Sequence, residues 1–147
     1  MGVIVNNQLS VIGNPTPDYT LRFSHVATWK AFSFNLDWEY RKGGDNWNGT
    51  AAFLDSVHYG YTGKAAAYIQ KTDNIRIHTL SFAYDIRIKK ILQQIKLTAY
   101  AQNLVLWSVY KGADPNQLLY DQPGSAGLDF FNLPSTKSYG ISASLQF

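Results

Sequence analysis

The sequence predicts an all-β chain, an antiparallel up-and-down meander of about five strands that forms part of a larger transmembrane β-barrel. Three observations carry this. Apolar residues recur at every second position in five separate stretches, the signature of a strand with two unlike faces. The connections between those stretches alternate between short and long. Aromatic residues make up 15% of the chain and charged residues only 16%, against roughly 25% charged in an average soluble domain, yet no apolar run approaches the roughly 20 residues of a membrane helix.

In "YTLRFSHVATW", Tyr19, Leu21, Phe23, Ala27 and Trp29 share one face, opposite Thr20, Arg22, Ser24 and Thr28. His25 breaks the apolar series, so it either meets a neighbouring protein or marks a slip of phase. In "AFSFNLDWEYR", Phe32, Phe34, Leu36, Trp38 and Tyr40 oppose Ser33, Asn35, Asp37, Glu39 and Arg41. In "LSFAYDI" the apolar set is Leu80, Phe82, Tyr84 and Ile86, whereas Ile75 and Ile77 upstream have the opposite phase. That change predicts a bulge or a new environment near His78. "IKLTAYAQNL" sets Ile95, Leu97, Ala99 and Ala101 against Lys96, Thr98, Tyr100 and Gln102, and the fifth strand carries Tyr139, Ile141, Ala143, Leu145 and Phe147 on one face. Helix signals are poor; "IRIKKILQQIK" reads as a tight connection between strands.

Residues 1–17 read as a lead-in loop and 18–147 as barrel strands carrying two long loops, at about 42–73 and 108–135. The short links fall near Lys30 and between Arg87 and Gln94. In a meander this puts every long loop at one end, as in outer-membrane barrels. Trp29, Phe32 and Phe147 then lie near the short-turn end, and Tyr19, Trp38, Tyr40 and Trp107 near the other, resembling two aromatic girdles. A soluble sheet would cover its apolar face with a second sheet or a helix, and no helix of that length is legible. A barrel can turn that face to lipid and line its lumen with the polar one. Membrane barrels close at about eight strands or more, so five predict a C-terminal piece of something larger, with exposed edges that pair with other chains. The start "MGVIVNNQ" lacks the basic region and long apolar core of a signal peptide.

Taken in order, "VIGNPTPDYTLRFS", "RKGGDNWNGT", "NIRIHTLSFAYDI", "LTAYAQNLVLW" and "YGISASLQF" resemble the C-terminal barrel region of SusC/RagA-type TonB-dependent outer-membrane receptors. The likeness runs from about Val11 to Phe147. It departs where Lys71-Thr72-Asp73 replaces the family's "DGS-(F/Y)" lead. The resemblance implies a barrel of about 22 strands in the outer membrane of a Bacteroidetes-like Gram-negative cell. It implies import of glycan or peptide nutrients by a parent protein whose plug domain, TonB-contacting segment and remaining barrel lie outside this chain. The implied partners are those parts, a SusD-like lipoprotein, TonB and the lipid bilayer. In such barrels a last strand ending on an aromatic resembles an assembly signal, a role that falls here on Tyr139, Ile141, Leu145 and Phe147.

Candidate chemistry is sparse. Asp37 and Glu39 lie two apart on one strand, which places their carboxylates at roughly 7 Å, near the glycosidase ranges. Lumen lining is the stronger reading, because a catalytic pair ordinarily comes from different strands. The chain is therefore not read as an enzyme, and no cofactor is implied. His25, His58 and His78 lack ligand spacing, cysteine is absent, and "GGDNWNGT" and "GADPNQ" lack the calcium-loop pattern, so no metal site is predicted. Lys and Arg are scattered at a net charge of +3, which argues against nucleic acid. Trp47, Phe53, Tyr59 and Tyr61, with Tyr68, crowd the first long loop. They either stack on a ligand or partner or pack among themselves to order the loop. A soluble β-sandwich that binds carbohydrate through Trp and Tyr is the alternative reading.

Overall fold

The computed structural model describes residues 11–60, 65–87, 94–116 and 126–146, except for the side chains of Val105 and Leu106. Two sheets organise them. The larger is a five-stranded antiparallel meander built from β1 (Pro17–Trp29), β2 (Phe32–Gly43), β5 (Asn74–Ile86), β6 (Gln94–Ser108) and β8 (Ser138–Gln146), side by side in chain order. The smaller has the order β4 (Ile69–Lys71), β3 (Asp45–Asn48), β7 (Leu128–Asp129) and sits at the long-loop end.

The register converts the alternation of each strand into two continuous faces. One row across the sheet reads Ala27, Phe34, Phe82, Ala99, Ile141, and the next reads Trp29, Phe32, Tyr84, Leu97, Ala143. The intervening row reads Thr28, Ser33, Ala83, Thr98, Ser142 on the opposite face. Rings interlock on the apolar side, with centroids 4.9 Å apart for Phe34–Phe82 and 4.7 Å for Phe32–Tyr84. Nothing in the described chain covers them: Phe82 is 58% exposed and Leu145 51%. These side chains are neighbours on one surface rather than opposite walls of an interior. From Tyr19 to Trp29 the strand covers about 33 Å at 3.3 Å per residue, or about 25 Å of height at a 40° tilt, the span of a membrane barrel's apolar band.

The phase change near His78 is a bulge. Asp37 pairs with Thr79 and Trp38 with Ile77, so one residue of β5, His78, is left over. The extra residue restores Ile75 and Ile77 to the apolar face and sends the His78 imidazole toward Glu39, 3.4 Å away. His25 is in phase after all. Its Nε2 accepts a hydrogen bond from Trp38 Nε1 at 3.1 Å, giving the indole a partner on the apolar face. Lys30, with φ 55°, makes the tight turn between β1 and β2, and its ammonium lies over the Trp29 ring, 5.0 Å from the centroid. The 88–93 connection and Phe147 lie outside the described residues.

One element was not legible. Residues read as loop form helix α1 (Gly49–Tyr59), capped where Asn48 Oδ1 accepts from the Ala51 amide at 2.9 Å. "GTAAFLDSVHY" is short, holds two β-branched residues and has a weak apolar stripe, so periodicity is nearly silent; the cap and the packing of the loop make the helix. Replacing Asn48 by Ala removes the cap at a cost of about 1 kcal/mol. Amide exchange across α1 in the intact protein is expected to quicken about fivefold, while β2 and β5 stay unchanged.

Candidate functional site

The long-loop end is closed by a cap assembled from the lead-in segment, β3, α1, a single 3-10 turn (Ala65–Tyr68), β4 and β7. Its interior is polar. Tyr110 is buried there with Asn46, Asn48, Thr72, Asp73, Asn74, Arg76, Asp114 and Asp129, while Ala83 and Glu39 are buried on the polar face of the large sheet. Such groups are tolerable only when paired, and their partners define how the cap is held.

The central pair is Arg76 on β5 with Asp114 from the second long loop, 2.5 Å apart, with side chains 5% and 2% exposed. Arg76 also donates to Ser135 Oγ at 3.1 Å, joining the far end of the same loop to the strand. Asp114 accepts from the Asn116 amide at 2.9 Å. Burial alone would raise the Asp114 pKa, but hydrogen bonds from Arg76, Ser135 and the Asn116 amide, with the Arg76 charge, hold it below the ordinary carboxylate value. Arg41 donates to Asn116 Oδ1 at 3.1 Å and to the Pro15 carbonyl at 3.3 Å, binding the lead-in segment to the same cluster.

The bend from β2 into β3 runs through Gly43 and Gly44, with φ of 79° and 82°. A Cβ on Gly44 would stand 2.7 Å from Thr72 Oγ1, so only glycine fits there. Asp73 secures the bend: it pairs with Lys42 and accepts from the Gly43 amide at 2.7 Å. Its pKa is lowered by the Lys42 hydrogen bond first, against a smaller effect of burial. Asp45 is likewise lowered by its hydrogen bonds to Lys71, at 2.8 Å, and to the Asn14 amide, at 3.1 Å.

Beside this cluster lies a cavity of about 530 Å³ between α1, residues 111–113 and β7. Asp129 forms part of its wall and accepts from the Tyr110 hydroxyl at 2.5 Å. Burial, then that hydrogen bond and the Asp129 charge, push the Tyr110 pKa far above its usual value, so the phenol remains a donor at every physiological pH. Phe131 lines the cavity with a left-handed backbone, φ 53°, its amide donating to Thr50 Oγ1 at 2.7 Å.

The aromatic residues singled out in the first long loop divide. Trp47 sits on β3 beside a second cavity of about 270 Å³ shared with Ile12, Ile69 and Leu128. Phe53 packs edge-on against Phe130 and Phe131, with centroids 6.0 and 5.6 Å away. Tyr59 is 76% exposed at the end of α1 and touches the His58 ring; Tyr61 lies outside the described residues. Of the four, Trp47 and Phe53 thus meet side chains of other segments, from the lead-in and the second long loop. Tyr139, Ile141 and Leu145 line the apolar face of β8, opposite Ala101, Ala99 and Ile95. Asp37 and Glu39 share the polar face but are engaged separately: Asp37 accepts from Ser24 at 2.5 Å and Asn35 at 3.1 Å, and Glu39 from Arg22 at 2.6 Å. Among the described residues no cluster of His, Asp and Glu could hold a metal ion. Sequence reasoning passed over Arg76, Tyr110, Asp114, Asp129, Phe130 and Phe131, whose one local signal is the aromatic pair after Asp129 in a loop otherwise rich in Gly, Asp and Pro.

A meander with an uncovered apolar face and a polar cap matches the wall of a membrane barrel with its loops. Comparison with known proteins agrees. The chain is 25% identical to TonB-dependent receptor P3 of Formosa agariphila over an alignment of 179 residues, which takes in 99% of this chain and 18% of that protein. The likeness supports kinship with TonB-dependent receptors. The chain therefore spans less than a fifth of the curated relative it matches. No family model matches the chain, and no solved structure does.

Two outcomes follow from the cap's electrostatics. Arg76→Met leaves the buried Asp114 without its cation and is expected to destabilise the cap by about 3–5 kcal/mol, with much of that recovered in the Arg76→Met/Asp114→Leu double variant; amide exchange over residues 109–116 of the intact protein measures both. Asp45, Asp73 and Asp114 all have folded pKa values below the unfolded one. Their contribution is complete above the ordinary carboxylate range of about 4 and is lost as pH falls through the lowered values. Intrinsic-rate-corrected exchange in the cap is expected to stay flat from pH 8 to 5 and to rise below about pH 4.

Proposed function

We propose that this chain is the C-terminal barrel segment of a SusC/RagA-type TonB-dependent importer in the outer membrane, taking up glycans or peptides with a SusD-like lipoprotein over its outer face. The observation that carries the reading is the unbroken apolar face in register across all five strands, backed by a polar face and a cap whose interior is polar. In this setting the apolar face meets lipid and the polar face the lumen. The cap stands outside the cell, and the Lys30 turn lies in the periplasm. Among the described residues β1 and β8 each have a single neighbour; the remaining strands of the barrel supply the others, because hydrocarbon leaves no unpaired edge unpunished. Residues 1–17 then lead in from the preceding outer loop, and 18–147 form the wall. The plug fills the lumen, and TonB reaches the plug from the periplasm. Motifs in family order, from "VIGNPTPDY" to "YGISASLQF", favour the SusC/RagA branch and the assembly role of the last strand.

Two experiments on the full-length protein test this. Phe82→Arg places a cation at mid-height on the lipid face, at a cost of about 2–4 kcal/mol, whereas Ser81→Arg points into the lumen. The first is expected to cut assembled, heat-modifiable protein in outer-membrane fractions at least tenfold, and the second to leave it within twofold. Equal behaviour of the two would sink the reading. This chain has no cysteine, so single cysteines introduced into it report its orientation against the unsubstituted full-length protein as background. A membrane-impermeant maleimide should label Tyr59→Cys in intact cells and Lys30→Cys only after the outer membrane is opened.

A further inference from the structure

We infer that the apolar face of the sheet carries a site for one phospholipid of the periplasmic leaflet, with the lipid phosphate at Lys30 and one acyl chain in a groove over β6. This rests on the importer reading above, which turns that face to hydrocarbon and the Lys30 turn to the periplasm. To meet lipid a wall has only to be apolar. Here the row Phe34, Phe82, Ala99, Ile141 drops from large side chains to a methyl group at Ala99 and rises again. The drop opens a groove of about 330 Å³, with Leu97 and Ala99 of β6 lying between Phe82 and Tyr84 of β5 on one side and Ile141 of β8 on the other. Those two walls stand two strand spacings apart, about 9–10 Å. A file of methylenes touching both walls needs about 7–8 Å, at 3.5–4.0 Å per carbon contact. The groove is therefore one hydrocarbon chain wide.

The groove is continuous with a cation. Phe32 lines it and also stacks on Trp29, with ring centroids 6.4 Å apart. The Lys30 ammonium lies over that Trp29 ring, and among the described residues Lys30 forms no ion pair. It shares a recess at the short-turn end with Ala31, Asp85 and Arg87. Asp85, the acid of that recess, accepts from Gln94 Nε2 at 2.8 Å. Two cations thus face one carboxylate that is already engaged, and the recess is left positive. Trp29 and Phe32 are both exposed, so an aromatic step leads from the positive turn to the apolar groove. A phospholipid has that same order: an anionic phosphate, an interfacial glycerol and a hydrocarbon tail. A free phosphate ion matches the turn alone, and the side chain of a neighbouring protein matches the groove alone. The charge at the turn and its continuity with the groove select the lipid, and the surplus cation favours an anionic headgroup such as phosphatidylglycerol.

The test is native mass spectrometry of the full-length receptor, released from detergent micelles to which phosphatidylglycerol has been added. Wild type is expected to keep one lipid through collisional activation that strips the rest. Lys30→Asn removes the charge yet suits the turn, because asparagine tolerates φ 55°. Ala99→Phe fills the groove and keeps the face apolar. Each should lower the retained fraction at least fivefold. Lys30→Arg should hold it within twofold, and so should Leu21→Phe, on the same face but at the long-loop end. Excess inorganic phosphate should not displace the lipid. Heat-modifiable mobility confirms that each variant has assembled, and Ala99→Phe decides the matter where Lys30→Asn does not assemble. No retained lipid, retention indifferent to both substitutions, or displacement by inorganic phosphate overturns the site. Where both variants assemble, an effect of only one of them overturns it too, since the phosphate and the chain are then not held together. The importer reading fails separately, through loss of the face-dependent assembly and labelling described above; a receptor that assembles correctly and ignores both substitutions retains the first reading and loses this one.

Discussion

A strand can lie against hydrocarbon only if its backbone polar groups are paired and its outward side chains are apolar. That constraint accounts for more of this chain than any single contact does. It explains why the five large strands form an uninterrupted ladder, and why irregularities are resolved without disturbing the faces. The bulge at His78 lets Ile75, Ile77, Leu80 and Phe82 all point the same way, although the sequence between them is out of phase. Trp38 finds an acceptor in His25 on the same face, which in the proposed membrane setting spares the indole an unpaired donor against lipid. On the polar side Tyr100 lies over Gly140, where a Cβ would stand 2.5 Å from its Cζ, so the ring shields the backbone that glycine leaves bare.

The same constraint relocates the stabilising polar chemistry. With apolar residues committed to the outer face, the long loops cannot be ordered by a greasy core. They are ordered by desolvated polar groups instead, which hold through the bonds they make to one another. Arg76 shows the arrangement: one guanidinium on the wall holds Asp114 and Ser135, two points 21 residues apart in a single loop. Arg41 does the same for the lead-in segment and Asn116. The cap is thereby tied to the strands by charge-assisted bonds whose geometry is directional, which suits a structure that must position loops over an opening rather than fill a volume.

What the sequence revealed follows from which physics is periodic. Burial of one face per strand repeats every two residues, so all five strands, the bulge and the loop asymmetry could be read from side-chain type alone. The cap has no period. Helix α1 depends on an Asn48 cap and on neighbours from other segments, and the Arg76–Asp114 pair joins positions 38 apart whose sequence context is ordinary. The aromatic residues of the first loop were legible as a group but not in their roles. Trp47 sits beside a cavity it shares with Ile12, Ile69 and Leu128, and Phe53 meets Phe130 and Phe131 from the other long loop. The identity of an aromatic says that it will contact something; only the fold of a second loop decides what.

That division bears on how such a cap can acquire specificity. On the proposed reading, substitutions on the wall are restrained by lipid on one side and by the lumen on the other, whereas cap residues answer mainly to one another. Yet the cap is not free, because Gly112, Tyr110 and Asp129 are mutually exclusive with larger neighbours: any side chain at position 112 collides with both partners of the Tyr110–Asp129 bond. Phe131 adds a second restriction, since its backbone conformation is disfavoured for an aromatic residue and holds only while Thr50 keeps its amide. Gly112 is thus required by the packing of its own loop, and Phe131 is held by the other long loop, its amide on Thr50 and its ring against Phe53.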